Sequence, residues 1–281
     1  MCYKLSIMIE KIMIGHSADA DDALMFYALA EKKIEAEDFY VEHLITDIES
    51  LNQEAFLGKY EVTAISFNAY SKVADKYDLL PCGASFGIKY GPLIVSSENI
   101  NINELRKEKI AVPGINTSAF LLLTHYLGSF SFEIESFDKI IPLIEKNIYK
   151  AGLIIHEGQL TFKQFNLHKI IDLGELWFDE TNLPLPLGGL AIKKFLNMDY
   201  KRRIYKLIKN SIEYGLENFD EVINYAYKFS RNAPEQTVRE FIRMYVNEFS
   251  LDYGEKGRKA LHTFSAKFNL PFDLSQCILD M

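Results

Sequence analysis

Residues 11–33 read KIMIGHSADADDALMFYALAEKK. Lys11–Gly15 is a short apolar run of strand type that ends in a turn. Asp22–Lys33 then carries helical spacing, with Leu24, Tyr27 and Ala28 on one face and Phe26 and Leu29 beside them. A strand, a polar loop and a helix thus follow each other within 23 residues. The same pattern recurs downstream. Tyr40–Thr46 reads as a strand, and Thr46-Asp47-Ile48-Glu49 is a capping-box pattern opening a helix to about Leu57. Val62–Ser66 is a strand, Asn68–Lys76 is helical, and Leu79–Cys82 and Pro92–Ser96 are strands. Strands alternating with helices predict an α/β architecture with a largely parallel sheet.

A second cycle follows. Lys109–Val112, Phe132–Ser136, Ala151–Ile155 and Lys169–Leu173 read as strands, and Thr117–Leu127 and Ile140–Lys146 as helices. Leu183–Gly189, LPLPLGG, breaks all periodicity. Beyond Phe195 the pattern is helical, over about 199–230, 234–248 (with Pro234 in the first turn) and 254–268. The 281 residues suffice for about two domains. The segments 96–103 and 183–195 are the expected crossings. They give an outer lobe of 1–97 plus 190–281, a middle lobe of 98–189, and a cleft between lobes for a small ligand.

Composition narrows the partners. Charged residues are 25% and apolar ones 48%, the mix of a globular chain. Against 31 Lys and Arg stand 39 Asp and Glu, a net charge of −8. The basic pairs Lys32-Lys33, Lys193-Lys194 and Arg202-Arg203 are scattered, so a nucleic-acid partner is not expected. No apolar run reaches the roughly 18–20 residues of a membrane span. In MCYKLSIMIEKIMIG, Lys4, Glu10 and Lys11 interrupt the apolar residues and no cleavage site follows; a start at Met8 or Met13 creates no export signal either. A cytoplasmic protein is expected. Cys2, Cys82 and Cys277 lack the spacing of a disulfide framework or a zinc site.

Four loops at strand ends could carry chemistry, because ligands of open α/β sheets bind at the carboxyl ends of strands. In His16-Ser17-Ala18-Asp19-Ala20-Asp21-Asp22, Asp21 or Asp22 could cap the helix, the loop could touch substrate, or the aspartates could hold a hard cation. A cation would need more oxygens than the loop plainly offers, so no metal is expected. Ser66 suits either a cap or a carboxylate or phosphate oxygen. After Pro113-Gly114, Thr117, Ser118 and the amides of the coming helix make an anion site or a simple cap. His156-Glu157 follows an apolar strand, where an imidazole could serve as a general base. It is not HExxH, since Leu160 takes the second histidine's place. The remaining histidines show no partner spacing, and only His16 falls in a cleft loop. GxSxG and GxGxxG motifs are absent.

Seven blocks stand in one order: HSADADD, VTAISFNAY, LPCGASFGIKYGPLIV, AVPGINTSAFLLL, AGLIIHEGQLTF, DLGELWFDETNLPLPLGGLAI and YVNEFSLDYGEKG. Together they resemble the 1,4-dihydroxy-6-naphthoate synthase family of the futalosine route to menaquinone, over roughly residues 11–260. The resemblance implies a type II periplasmic-binding-protein-like fold and a lyase that splits cyclic dehypoxanthinyl futalosine into 1,4-dihydroxy-6-naphthoate and dihydroxyacetone. It implies no cofactor, a small-molecule carboxylate substrate and a homodimer. It assigns the base to His156, and substrate contacts to Ala64, Ile65 and Ser66 and to Ser118 and Ala119, with Thr117 adjacent. Two departures stand out. Familiar members carry SPCPND where this chain has SADADD, which bears on Ser17, Asp19 and Asp22 as substrate contacts. Thr117-Ser118 replaces two threonines, keeping both hydroxyls. The rival readings are a chorismate dehydratase-like relative, which the IIHE block opposes, and a non-catalytic small-carboxylate binding protein, which would need an export signal.

Overall fold

The computed structural model describes residues 10–36, 39–230 and 233–281. Cys2, Lys4 and Met8 lie outside the described residues. The strands are β1 (Glu10–Ser17), β2 (Phe39–Thr46), β3 (Val62–Ser66), β4 (Tyr77–Leu79), β5 (Ser85–Gly87), β6 (Leu93–Ser96), β7 (Lys109–Val112), β8 (Ser131–Ile134), β9 (Ala151–Ile154), β10 (His168–Asp172) and β11 (Leu185–Lys193). They form two sheets. The first runs β2-β1-β3-β11-β4, with β5 also on β11, and the second runs β10-β6-β9-β7-β8.

Both sheets are mixed, which corrects the expectation of largely parallel pairing. Within each cycle the pairs are parallel: β1 with β2 and β3, and β7 with β8 and β9. Parallel neighbours need a crossover, supplied by the helices Ala20–Ala30, Ile48–Phe56 and Ser118–Leu127. The antiparallel pairs arise where the chain changes sheets. β6 enters the second sheet against β9 and β10, and β11 returns to the first against β3, β4 and β5.

The sheets change hands at 88–92 and 173–184. β6, which the sequence reading put in the outer lobe, is hydrogen-bonded within the second sheet, and the SSENININ stretch is only the loop after it. LPLPLGG, read as a break in periodicity, opens the nine-residue strand β11. Its prolines and glycines hid the strand pattern. Pro186, with no N–H to give, sits where pairing with the short β5 shifts register before Gly188, the kind of place a strand tolerates it.

The C-terminal helices close the first lobe. Met198–Glu217, Phe219–Ala226 and Glu235–Tyr245 pack with the helix Ala20–Ala30, which is therefore buried nearly all round. The single helix expected over 199–230 breaks at Asn218, whose backbone leaves helical geometry. Gly254–Lys267 packs into a core that holds Trp177, Phe67, Phe86 and Ile110 and so joins the two sheets. No helix among the described residues is long and apolar enough to cross a membrane.

At the crossings the backbones touch. A Cβ on Gly174 would stand 2.0 Å from the Tyr90 carbonyl carbon, and one on Gly87 2.1 Å from the Tyr90 oxygen. Neither neighbour is a flexible side-chain end, so the main chain itself would have to move. Gly174→Ala is expected to destabilise the fold by about 1–3 kcal/mol. A urea titration followed by emission from the sole tryptophan, the buried Trp177, reads this directly. An unchanged midpoint would show that the two segments part without cost.

Candidate active site

Four strand ends converge on one cavity of about 120 Å³ between the sheets. From the end of β1 come Ser17, Asp19, Asp21 and Asp22, and from β3 Ala64, Ile65 and Ser66. The loop after β7 brings Thr117, Ser118 and Ala119, and the segment after β9 brings Ile155 and His156. The ten residues read from sequence as base or substrate contacts thus line one space, although the four loops are up to 139 positions apart (His156 against Ser17). Gly188 and Gly189 of β11 complete the wall. A Cβ on Gly188 would fall 2.8 Å from the Ile65 oxygen, so the strand packs this closely on β3 only without side chains.

The first loop departs from its capping reading. Asp19, not Asp21 or Asp22, occupies the N-cap position of Ala20–Ala30, and its side chain makes no cap hydrogen bond. It reaches across the cleft instead, with Oδ2 2.9 Å from Nδ1 of His156 and both side chains buried. Asp22 accepts from the Ser17 amide. Burial pushes the Asp22 carboxyl up to about 7, with Asp19 adding to it, and holds Asp21 well above the usual range, with Asp22 and Asp19 adding.

His16 is the last residue but one of β1 rather than part of a cleft loop, and it does not line the cavity. Its ring stacks on Phe26 at 4.5 Å. Nδ1 donates to the Ser17 carbonyl (3.1 Å), which leaves Nε2 to accept from Nδ1 of His43 (3.1 Å). Burial, then His43, drives His16 down to about 3, and burial lowers His43 too, so both rings are neutral at physiological pH.

Ser66 stands at the N-cap of Phe67–Tyr70 but does not cap it. Asn52, fully buried, holds it with two bonds: the Ser66 amide donates to Oδ1 (2.9 Å) and Nδ2 donates to the hydroxyl (3.1 Å). Thr117 does cap its helix, accepting from the Phe120 amide and donating to the Gly114 carbonyl. The Ser118 hydroxyl donates to the Leu187 carbonyl and accepts from the Asn68 amide. Both hydroxyls are therefore committed. At the helix start the Ser118 and Ala119 amides have no intrahelical acceptor.

His156 sits over Phe137, ring centroids 3.9 Å apart. Its Nε2 has no hydrogen-bond partner among the described residues. A second cavity of about 270 Å³, lined by Phe137, Asp138, Glu157, Thr161 and Gln164, lies against the same ring. Asp19, His156 and Glu157 offer donor atoms within 4.8 Å of one another, the one described group that could hold a metal ion, and two of the three are already joined by a hydrogen bond.

Residues the sequence reading passed over join the lobes. Glu49, assigned to a capping box, accepts from the amide and side chain of Asn116, while Asp47 caps the helix by accepting from the Ser50 amide. Asn68 donates to the Ile115 and Thr117 carbonyls, and Tyr245 donates to Gln159.

The family model described as menaquinone biosynthesis matches residues 12–269. A 1,4-dihydroxy-6-naphthoate synthase of Thermus thermophilus is 32% identical over 252 residues, covering 90% of this chain and 92% of the relative. A crystal structure of a protein from Archaeoglobus fulgidus superposes with a TM-score of 0.85 at 38% identity, covering 97% of each chain. The alkanesulfonate-binding protein of Xanthomonas axonopodis pv. citri superposes at 0.69 with 13% identity, over 96% of this chain and 98% of that one, and shows the fold to be periplasmic-binding-protein-like.

The raised Asp22 carboxyl makes a prediction. An acid with a raised pKa holds its proton more tightly folded than unfolded. Its contribution is therefore full below the ordinary value of 3.8 and is lost as pH rises toward about 7. Asp22→Asn keeps an acceptor for the Ser17 amide and loses this dependence. Relative to the parent, its urea midpoint is expected to rise between pH 4.5 and pH 7.5. A constant offset across that range would refute the assignment.

Proposed function

The chain belongs to the menaquinone-biosynthesis family, and we propose that it is a lyase that cleaves cyclic dehypoxanthinyl futalosine to 1,4-dihydroxy-6-naphthoate and dihydroxyacetone, with His156 as the base. One observation carries this reading: His156 shares a single cavity with every residue that the family resemblance assigns to substrate.

The cavity has two chemically distinct ends. At one, the Ser118 and Ala119 amides and the Ser66 hydroxyl offer hydrogen to a carboxylate. Elsewhere in the cavity Asp19 pairs with His156, and Asp21 and Asp22 line the same wall and suit the hydroxyl groups of the sugar-derived part. Burial raises Asp21 and Asp22, which favours the protonated carboxyl, and that form can donate as well as accept. Bound in this orientation, the substrate presents its sugar-derived carbons to His156. The imidazole removes a proton there, a carbon–carbon bond breaks in the retro-aldol sense, and the electron pair enters the ring that becomes aromatic. Aromatisation supplies the driving force, so the protein's share is orientation, a base and exclusion of water from an enolate-like intermediate. The bonds between lobes, from Glu49 to Asn116 and from Asn68 to the 115–117 loop, hold the walls together over the reacting atoms.

The test is turnover of cyclic dehypoxanthinyl futalosine by purified protein without added metal, followed by naphthoate absorbance and mass. His156→Gln is expected to lower kcat by roughly 10²–10⁴-fold, the usual worth of a positioned base, with substrate still bound in calorimetry. Full turnover by His156→Gln would remove the base. Tight binding of a small carboxylate with no turnover by the parent protein would favour a solute-binding role.

A further inference from the structure

We infer that Asp19 is the positioning residue of His156, accepting the Nδ1 proton so that Nε2 is the nitrogen that carries the basic lone pair. The inference rests on the reading of His156 as the base and says how that base is prepared.

Three observations meet at this pair. The first is geometric. Oδ2 of Asp19 lies 2.9 Å from Nδ1 of His156, with each side chain 9% exposed, a short charge-assisted contact shielded from water. A carboxylate has no proton to give, so the bond requires hydrogen on Nδ1. The second is the state of the other nitrogen. Nε2 is buried and accepts or donates nothing among the described residues, so no second bond competes for the tautomer. The third is mechanical. Phe137, which lines the second cavity and not the substrate cavity, packs on the imidazole with ring centroids 3.9 Å apart, which limits ring rotation.

The placement of Asp19 departs from ordinary capping. It stands at a helix N-cap, where an aspartate ordinarily bonds an amide of the first turn, and it makes no such bond. Its carboxylate is given to a ring from the opposite lobe. The other acids around the ring are Glu157 on its own turn, Asp21 and Asp22 in the helix after Asp19, and Asp138 beside Phe137. None of these is within ion-pair distance of a His156 nitrogen.

A carboxylate behind an imidazole does two things. It fixes the tautomer and ring angle, and it stabilises the imidazolium that forms when the base takes its proton. Both effects raise kcat more than they lower KM. A residue that merely touched substrate would act mainly on KM.

The experiment has two readouts. In protein with ¹⁵N-labelled histidine, the His156 tautomer is read by NMR without any substrate. The parent protein is expected to hold the hydrogen on Nδ1, and Asp19→Asn to shift the population toward Nε2–H. In turnover, Asp19→Asn is expected to lower kcat by roughly 10²–10⁴-fold with KM changed less than threefold. Asp19→Glu should restore part of kcat and of the Nδ1–H population. An Nε2–H tautomer in the parent protein would overturn the proposal, even if Asp19→Asn failed to fold. So would an unchanged tautomer in Asp19→Asn. The two readings fail separately. If His156→Gln turned over normally while the tautomer followed Asp19, the pairing would stand and the base would fall.

Discussion

The two crossings between sheets are the constraint on which the molecule depends. The chain leaves the first sheet past Tyr90 and returns past Gly174 through a contact too tight for a methyl group. β11 then inserts between β3 and β4, antiparallel to both. Because the outgoing and returning segments touch, the two sheets are held at one mutual position, and the ends of β1, β3, β7 and β9 look into the same space. Separate lobes on slack linkers would leave His156 and the Ser118 and Ala119 amides without a fixed distance between them. The shared apolar core under Trp177 reinforces the same placement.

Much of the fold was legible because its signals are local. The runs 11–15, 62–66, 109–112 and 151–155 lie within strands or overlap them closely, and the helix after Asp19 is where the spacing of Leu24, Tyr27 and Ala28 put it. What escaped was nonlocal. No pattern in Leu93–Ser96 says which sheet it joins, since an apolar strand of four residues fits either. β11 was hidden by its own composition: glycines admit the close approach of β3, and a proline sits at a shift in register, so the residues that make the strand fit are those that mark a break in a sequence.

The site divides the same way. Loops at strand ends could be singled out because the architecture makes them meet, and the ten candidate residues do share a cavity. Their hydrogen-bond partners could not be read. Asn52 clamps Ser66 across 14 positions, Glu49 meets Asn116 across 67, and His16 finds His43 only once β1 and β2 are in register. Thr117 and Ser118 looked alike in sequence, yet one closes a helix and the other ties a loop to β11. The first loop is where the chain parts from SPCPND, and there Asp19 took up a bond that no rule of local capping would give it. Burial also changes what the aspartates are. Counted as fully ionised they would repel an anion from the cleft, but burial, with Asp22 and Asp19 beside it, pushes Asp21 well above the usual carboxylate range.

Asn52 has a consequence for what the cleft refuses. The Ser66 amide can only donate, so it must be met by the Asn52 oxygen, and this fixes which way the Asn52 amide points. Its nitrogen then faces the Ser66 hydroxyl and fills an acceptor position there. The serine's own hydrogen is left to point elsewhere. The Ser66 oxygen keeps one further lone pair, while the Ser118 and Ala119 amides beside it can only donate. A carboxylate oxygen arriving there meets three hydrogens, whereas an ammonium or an amide nitrogen finds a single lone pair and two amide hydrogens set against it. The polarity of a single buried asparagine therefore tilts that end of the cleft toward acceptors, with no charged side chain needed.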